Sequence, residues 1–319
     1  MLVSIKAKAR QFIVQPIAAV LTMFSLSALA ADLPEWAYPA LPKPVTPDAV
    51  IQKQMPGSTK AYTQAQIDDG FNVPDWYPNE HPPMPRIVSH GNAPAVRACA
   101  MCHLTSGDGH PESSSVAGLP VAYFIQQIAE FKTGNRGNPR AGSMIPISKA
   151  LTDDEVRAAA EYFASMIPTK WIRVVEAHTV ARSFVGQGAM RFAEPDGSTE
   201  PLSNRIIELP EDRARAESRD PHSGFVAYVP VGSVAKGKAL VTSNDKTPAC
   251  AICHGPSLKG QDNVPGIAGR SPQYVYRQLN DIKVGRRKGP AAEPMKDTVA
   301  HLSEDDMLYV AAYLATLDQ

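Results

Sequence analysis

The feature that most constrains this chain is a five-residue motif, Cys-x-x-Cys-His, which occurs twice and uses every cysteine present. The two copies are Cys99-Ala-Met-Cys-His103 and Cys250-Ala-Ile-Cys-His254. Two thiols at this spacing suit thioether bonds to the vinyl groups of one haem, and the adjoining histidine can then ligate the iron. The pattern predicts two haem c groups, held by Cys99, Cys102, Cys250 and Cys253, with His103 and His254 as axial ligands.

Two other sites share the Cys-x-x-Cys core. One such pair is typical of a redox dithiol, and two pairs together can form a four-cysteine zinc site. Neither site requires a histidine directly after both second cysteines. The repeated histidine therefore favours haem.

The motifs belong to a longer internal repeat with a period of 151 residues. Many positions beyond the motifs match at this shift without a gap. The matches include Tyr123 with Tyr274, Gln127 with Gln278, Arg136 with Arg287, and Met144 with Met295. A repeat of this length indicates two copies of one domain.

Both copies are predicted to be mainly α-helical. Phe124, Ile128 and Phe131 recur at a spacing that lines one helix face, and Gly134 follows where a C-cap glycine is expected. A second helix is predicted to begin at Thr152, with a capping box. The same pattern recurs 151 residues later. We define copy one as residues 95–167 and copy two as residues 233–319.

A second axial ligand is predicted from the repeat. Met144 and Met295 each follow their motif histidine by 41 residues, in Pro/Gly-rich segments predicted to be loops. A thioether there can reach the iron opposite the histidine. The alternative is a methionine that fills a gap in the core, which is the role predicted for Met166 and Met307. Other candidates for replacing a ligand are Met55, Met84, Met190, His81, His90 and His178.

The remaining segments have other compositions. Residues 1–30 combine basic residues, an apolar run and a small-residue cleavage site, the pattern of a secretory signal peptide, although an uncleaved anchor has a similar pattern. Residues 31–94 form a proline-rich arm. Residues 168–232, the insert, hold three short strand-like runs around a charged stretch. The 32 basic and 32 acidic residues balance, so no nucleic-acid partner is expected, and any membrane contact is expected to be peripheral.

At this point the chain resembles the dihaem class I cytochromes c of the c4 type. The resemblance rests on Pro265-Gly-Ile-Ala-Gly269, Tyr274-x-x-x-Gln278-Leu279, Lys283-x-Gly285-x-Arg287, Met295 and their counterparts in copy one. It implies a mainly α fold of two tandem class I cytochrome c domains, and periplasmic electron transfer through His/Met-ligated haems. The arm and the insert depart from the family pattern. A carbonyl in residues 264–269 is expected to orient His254, and Ser114 replaces Pro265 in copy one, so unequal haem environments are expected.

The leading hypothesis is an electron carrier that is not itself an enzyme. Its donor would be a periplasmic dehydrogenase or quinol-oxidising complex, and its acceptor a terminal oxidase or reductase. A second hypothesis is the cytochrome subunit of a periplasmic oxidoreductase. A third is a haem enzyme, either a peroxidase or a thiosulfate-oxidising relative, but paired methionine ligands leave no open iron position and no cysteine is spare. Candidate contacts to the haem propionates are Tyr123, Arg136, Tyr274 and Arg287.

Overall fold

The computed structural model of the chain describes residues 33–40 and 51–319. The predicted signal segment, residues 1–30, lies outside the described residues, as do residues 41–50 of the arm. The α-helices are α1 (Gln64–Ile67), α2 (Arg86–Ser89), α3 (Ala100–His103), α4 (Val121–Lys132), α5 (Met144–Ala150), α6 (Asp153–Ser165), α7 (Arg213–Glu217), α8 (Ser233–Thr242), α9 (Ala251–His254), α10 (Pro272–Lys283), α11 (Lys296–Ala300) and α12 (Glu304–Thr316).

The strands are short and lie mainly in the insert. They are β1 (Gln52–Gln54), β2 (Ala61–Thr63), β3 (Ile172–Ala177), β4 (Thr179–Ala181), β5 (Ser183–Val185), β6 (Arg191–Ala193), β7 (Thr199–Pro201), β8 (Ile207–Pro210), β9 (Phe225–Pro230), β10 (Gly260–Gln261) and β11 (Val264–Pro265). Turns of 3₁₀ helix occur at Pro139–Gly142, Gln187–Ala189 and Glu293–Met295. None of the helices in the described ranges is long and apolar enough to cross a membrane.

Each copy is built on the predicted helix pair, α4 with α6 and α10 with α12. The capping boxes at Thr152 and Ser303 are present, because each side chain accepts from the backbone three residues on and is met by an acidic side chain in return. Gly134 and Gly285 follow the first helix of each pair with φ of 77° and 74°, the left-handed conformation that glycine adopts without strain. These helix boundaries confirm the sequence predictions.

The apolar faces of both pairs are buried in separate cores. In copy one Phe124, Ile128 and Phe163 belong to one cluster. In copy two Val275, Leu279 and Met307 belong to another. Met166 is also buried, at 9% exposure. The predicted core roles of Met166 and Met307 are therefore confirmed.

The two copies differ in the helix that precedes the Cys-x-x-Cys-His motif. In copy two this helix is α8, which packs on α12 so closely that a Cβ at Gly237 would lie 1.9 Å from the carbonyl oxygen of Tyr309. At the equivalent place in copy one, α2 has a single turn. The core of copy one also includes Val73, Ile87 and Val88. These residues precede residue 95, so the core extends from copy one into the arm.

The described parts of the arm, residues 33–40 and 51–94, contact both copies. Tyr38 is buried and its hydroxyl donates to Asp281 Oδ1 of α10 at 2.8 Å. The strands β1 and β2 form a hairpin beside a small cluster that includes Met55 and Trp76. The arm thus contributes apolar side chains to folded clusters despite its many prolines.

The insert contains a three-stranded sheet in the order β3-β9-β8. Strand β3 pairs with β9 in parallel, from Ile172 opposite Phe225, and β8 pairs with β9 antiparallel. Between β3 and β8, β5 and β6 form an antiparallel hairpin, and β4 and β7 on either side of it pair antiparallel with each other. Trp171, Phe192 and Phe225 pack in one cluster with Ala315 of α12. The insert thus rests against the last helix of copy two.

Candidate functional site

Each Cys-x-x-Cys-His motif forms one helical turn. His103 N donates to Cys99 O at 3.0 Å, and His254 N donates to Cys250 O at 3.0 Å. A single turn places residues three apart on the same face of the helix, so both thiols of a motif lie on one side. The four cysteines form no disulfide. Both turns therefore present the arrangement that two thioether bonds to one haem require.

Both motif histidines are held by a hydrogen bond to a backbone carbonyl. His103 Nδ1 lies 2.8 Å from Ser114 O, and His254 Nδ1 lies 2.8 Å from Pro265 O. Burial lowers the pKa of both imidazoles, which favours the neutral ring. With Nδ1 as the donor, Nε2 is the nitrogen that remains to bind iron.

The carbonyl expected for His254 is therefore confirmed. The replacement of Pro265 by Ser114 leaves the hydrogen bond the same length, because the acceptor is a backbone oxygen and does not depend on the side chain. The expected inequality of the two haem environments does not arise at this contact.

Met144 and Met295 lie in the same apolar clusters as the motif cysteines. Met144 packs against the cluster that Cys99 and Cys102 also contact. Met295 packs against the cluster that Cys250 contacts. The side chains of both methionines are partly exposed, and each packs against the core of its own copy. The predicted loops are wrong in detail, because Met144 begins α5 and Met295 ends a 3₁₀ turn that runs into α11.

Most of the spare ligand candidates lie elsewhere. Met55 and Met190 are buried in clusters of the arm and the insert that hold no motif residue. His81 Nε2 contacts Asp75 Oδ1 at 3.1 Å, and His90 Nδ1 contacts the hydroxyl of Ser89. Met84 packs against the core of copy one, and the ring of His81 lies edge-on to Tyr162 of that core.

The remaining predicted residues meet between the two copies. Arg136 donates to the side-chain oxygens of Gln127 and Gln278, at 2.9 Å each. Arg287 donates to the same two oxygens at 3.0 and 3.1 Å, and to the hydroxyl of Tyr123 at 2.9 Å. The backbones of Arg136 and Arg287 face each other in an antiparallel bridge. Residues 151 apart thus form one pseudo-symmetric cluster.

This cluster carries a buried excess of positive charge. Arg136, Arg270 and Arg287 are at most 9% exposed, and their hydrogen bonds go to neutral amide, hydroxyl and carbonyl groups. Burial lowers the pKa of Arg136 and Arg270. For Tyr274 burial acts to raise the pKa, but the three guanidiniums outweigh it and the pKa is lowered.

Two buried polar atoms in the same cluster, Gln127 Nε2 and Arg287 Nε, lack a hydrogen-bond partner. Burying a cation, or a hydrogen-bond donor without a partner, costs folding free energy unless an anionic acceptor lies beside it. Carboxylates such as haem propionates fit this donor set. Arg270 was not among the predicted contacts, because its counterpart in copy one is Leu119 and the repeat does not mark it. The one sequence feature that pointed to this cluster was the repeat of Gln127 as Gln278, since both glutamines accept hydrogen bonds from the repeated arginines.

Fold and site together define a helical c-type cytochrome. The family model for cytochrome c matches residues 234–318. Cytochrome c-554(547) of Halothiobacillus neapolitanus is 34% identical over 94 residues, which cover 27% of this chain and 98% of that protein.

Two longer matches span both copies. A protein of Stutzerimonas stutzeri named thiosulfate dehydrogenase electron acceptor is 28% identical over 73% of this chain and 86% of its own length. Cytochrome c4 of Azotobacter vinelandii is 23% identical over 69% of this chain and 84% of its own. The chain belongs to the cytochrome c family and is a class I cytochrome c of the c4 type. It carries haem c and transfers electrons.

Proposed function

We propose that this protein is a periplasmic dihaem electron carrier with one haem c in each copy. Thioether bonds from Cys99 and Cys102 hold the first haem, and bonds from Cys250 and Cys253 hold the second. The observation that carries the proposal is the repeated geometry of the motif. In each copy a one-turn helix places both thiols on one side and a carbonyl at 2.8 Å fixes the histidine that follows.

We propose His103 and Met144 as axial ligands in copy one, and His254 and Met295 in copy two. Haem c, when bound, supplies a centre that gains and loses single electrons. The carbonyls of Ser114 and Pro265 hold each imidazole in one tautomer and orientation. A methionine sulfur opposite histidine raises the reduction potential relative to harder ligands, and a filled coordination sphere leaves no position for a substrate.

Apolar and cationic residues surround the two proposed haem sites. The apolar clusters around each motif exclude water, which further favours the less charged reduced state. Tyr123, Arg136, Tyr274 and Arg287 are proposed to meet the propionates between the copies, and Arg270 adds a third cation there. These groups would neutralise carboxylates that are otherwise costly to bury.

The proposed domain organisation follows the two copies. Residues 1–30 would direct export, 31–94 form the arm, 95–167 and 233–319 the haem domains, and 168–232 the insert. Partners would be redox proteins, with a periplasmic dehydrogenase or quinol-oxidising complex as donor and a terminal oxidase or reductase as acceptor.

A second candidate is the electron-accepting subunit of a periplasmic oxidoreductase. It is favoured by the similarity to the Stutzerimonas stutzeri protein whose name describes an electron acceptor of thiosulfate dehydrogenase. In that case the catalytic chemistry would belong to the partner. Co-purification of a stable complex from the native host at moderate salt would favour this candidate over a free carrier.

The haem count tests the proposal. The pyridine haemochrome assay on protein exported with a haem-attachment system should give two haems per chain that survive denaturing gels. Cys99→Ala with Cys102→Ala should leave one, and so should Cys250→Ala with Cys253→Ala. A folded wild-type protein that binds zinc and lacks haem absorbance would overturn it.

A further inference from the structure

The two haem-attachment turns differ in how far they are covered. Met101 and Ile252 occupy the same position in the repeat, between the two cysteines. Met101 is 6% exposed, whereas Ile252 is 62% exposed. Ala100 is buried at 3%, and Cys253 is exposed while Cys102 is not. One turn is therefore enclosed and the other lies open at the surface.

Arg219 of the insert closes the turn of copy one. Its Nη1 donates to Met101 O at 2.8 Å, and its Nε donates to Ile67 O at 3.1 Å. Its backbone has φ of 54°, a left-handed conformation that costs a non-glycine residue about 1 kcal/mol or more. The fold retains this strained residue at the point where its guanidinium joins the insert, the arm and the motif.

The neighbouring residues complete the cover. Trp76 of the arm is 1% exposed, and its indole N–H donates to Ser218 O at 2.9 Å. Asp68 contacts Arg219 Nη2 at 3.5 Å. Arm and insert thus bind each other across the attachment turn of copy one. A compact two-domain cytochrome has neither segment, so this cover is a property of the present chain.

The insert contacts copy two at a different place. Glu208 accepts from Ser271 Oγ and Gln273 N, both at 2.8 Å, at the start of α10. Around the open turn, Cys250 N donates to Val241 O and Ala249 N donates to Asn244 Oδ1, so these bonds stay within copy two. Within residues 33–40 and 51–319, no arm or insert residue hydrogen-bonds to the turn Cys250–His254.

Cover of this kind controls access to the haem. Thioether bonds would join these cysteines to the edge of a haem, so the exposed Cys253 would hold that edge nearer to the protein surface than Cys102 does. Electron transfer between proteins weakens steeply as the gap between cofactor edges widens. A partner that meets the arm and insert over copy one is kept further from the cofactor than a partner that meets Ile252.

We propose that redox partners exchange electrons with this protein at copy two, on the surface around Ile252 and Cys253, and that copy one exchanges with them through copy two. The inference rests on the proposed function, in which each copy carries a haem. The two copies are joined for such transfer, because Gly137 N donates to Arg286 O at 3.0 Å and Lys288 N donates to Asn135 O at 2.9 Å.

The surface around Ile252 fits a small redox protein that meets it briefly. Ile252 is exposed, and so are several polar or small residues close to it in the sequence, namely Asn244, Asp245, Pro256, Ser257 and Lys259. Short-lived redox complexes bury little area, with an apolar centre and a wet polar rim. The partner is therefore inferred to present its own cofactor edge in a small apolar patch.

Ile252→Glu tests the exchange surface, with Ile167→Glu as the matched control. Ile167 is 84% exposed and lies at the end of copy one, so the same substitution there adds the same charge to an exposed isoleucine. The probe is a reduced monohaem class I cytochrome c, mixed rapidly with the oxidised protein. Ile252→Glu should slow the reduction of both haems together by about 10-fold, as loss of a central contact does, and Ile167→Glu should change it by less than about twofold.

A second readout measures access without electron transfer. In proton NMR spectra, a soluble paramagnetic relaxation agent should broaden the haem methyl signals of copy two at lower concentration than those of copy one. The single-haem cysteine variants assign the signals. Arg219→Gln should make the copy-one signals more sensitive and leave those of copy two unchanged.

The results that would overturn the inference are distinct from those that would overturn the proposed function. Equal broadening of both haems, a larger effect of Ile167→Glu, or one haem that keeps its fast phase in Ile252→Glu would each contradict exchange at copy two, while two haems remain attached. A wild-type chain without two attached haems would overturn the proposed function, and the inference with it.

Discussion

Copies one and two share a helix pair and a haem-attachment turn, but different parts of the chain complete their cores. Copy two has its own long helix α8, packed on α12 at Gly237. Copy one has the single-turn α2 and takes Val73 from the arm. The comparison shows that a duplicated domain can lose part of its first helix when a neighbouring segment buries the same apolar surface.

The same difference explains why one attachment turn is enclosed. Once the arm lies against copy one, the insert can bind both through Arg219. In copy two, α8 already covers the core and the turn remains at the surface. The variants below test whether the packing of α8 in copy two and the cover of copy one by arm and insert are independent.

The largest effect is expected for Gly237→Ala. Helix propensity alone would make alanine more stable by about 1 kcal/mol. The new Cβ would lie 1.9 Å from Tyr309 O, so α8 must move away from α12 at a cost of about 3 kcal/mol. Guanidinium unfolding of the haem-loaded protein measures the loss, with exposed Lys238→Ala as control. A gain in stability would show that α8 does not need this close contact.

A smaller, local effect is expected for Arg219→Gln. Loss of charged hydrogen bonds to two backbone carbonyls should cost about 2 kcal/mol, or about 30-fold faster amide exchange where opening is local. The acceleration should occur in residues 67–76 and 99–104, and not in residues 250–255. Arg213→Gln, which removes a pairing with Glu217 and cation–π contacts to Phe184 and Phe192 but no contact with the motif turn, is the control. Equal acceleration in both turns would mean that the insert stabilises the molecule as a whole.

A pH-dependent effect is expected at the contact of the insert with copy two. Burial raises the pKa of Glu208 to about 7, above its value in the unfolded chain. The folded state therefore binds the proton more tightly, and this stability is present at low pH and lost as pH rises through about 7. The slope should approach at most about 1.4 kcal/mol per pH unit between roughly pH 4.5 and 7.

Glu208→Gln should remove that slope. The free energy of unfolding, measured across this pH range in wild type and variant, tests it. The two curves should lie closest at low pH, where Glu208 is neutral like the amide, and the wild-type curve should fall relative to the variant curve as pH rises. Parallel curves would mean that Glu208 has the same pKa in both states.

The sequence predicted the repeating parts of the molecule well. Amphipathic spacing and capping residues located α4, α6, α10 and α12, since these signals are local. The segment around Pro265 also contained the correct hydrogen-bond acceptor for His254. Such features repeat at 151 residues because each copy needs them to hold its own motif.

Contacts between distant segments could not be predicted in the same way. Arg219 belongs to a stretch of mixed charge that is typical of a solvated surface, and its partners lie more than a hundred residues away in sequence. Glu208 was part of a strand-like run and gave no sign of capping α10. The shortening of α2 to one turn could not be predicted either, because the proline content of the arm says nothing about which of its side chains are buried.

The most direct test of the account is a potentiometric titration with absorbance spectra of wild type, Met144→Ala and Met295→Ala. Wild type should show two one-electron steps and the weak red band of a methionine–iron bond. Each variant should lose part of that band and lower one potential by roughly 100 mV, since axial ligands dominate haem potentials. If either substitution leaves band and potentials unchanged, that methionine is not a ligand, and the proposed His/Met ligation of its copy is wrong.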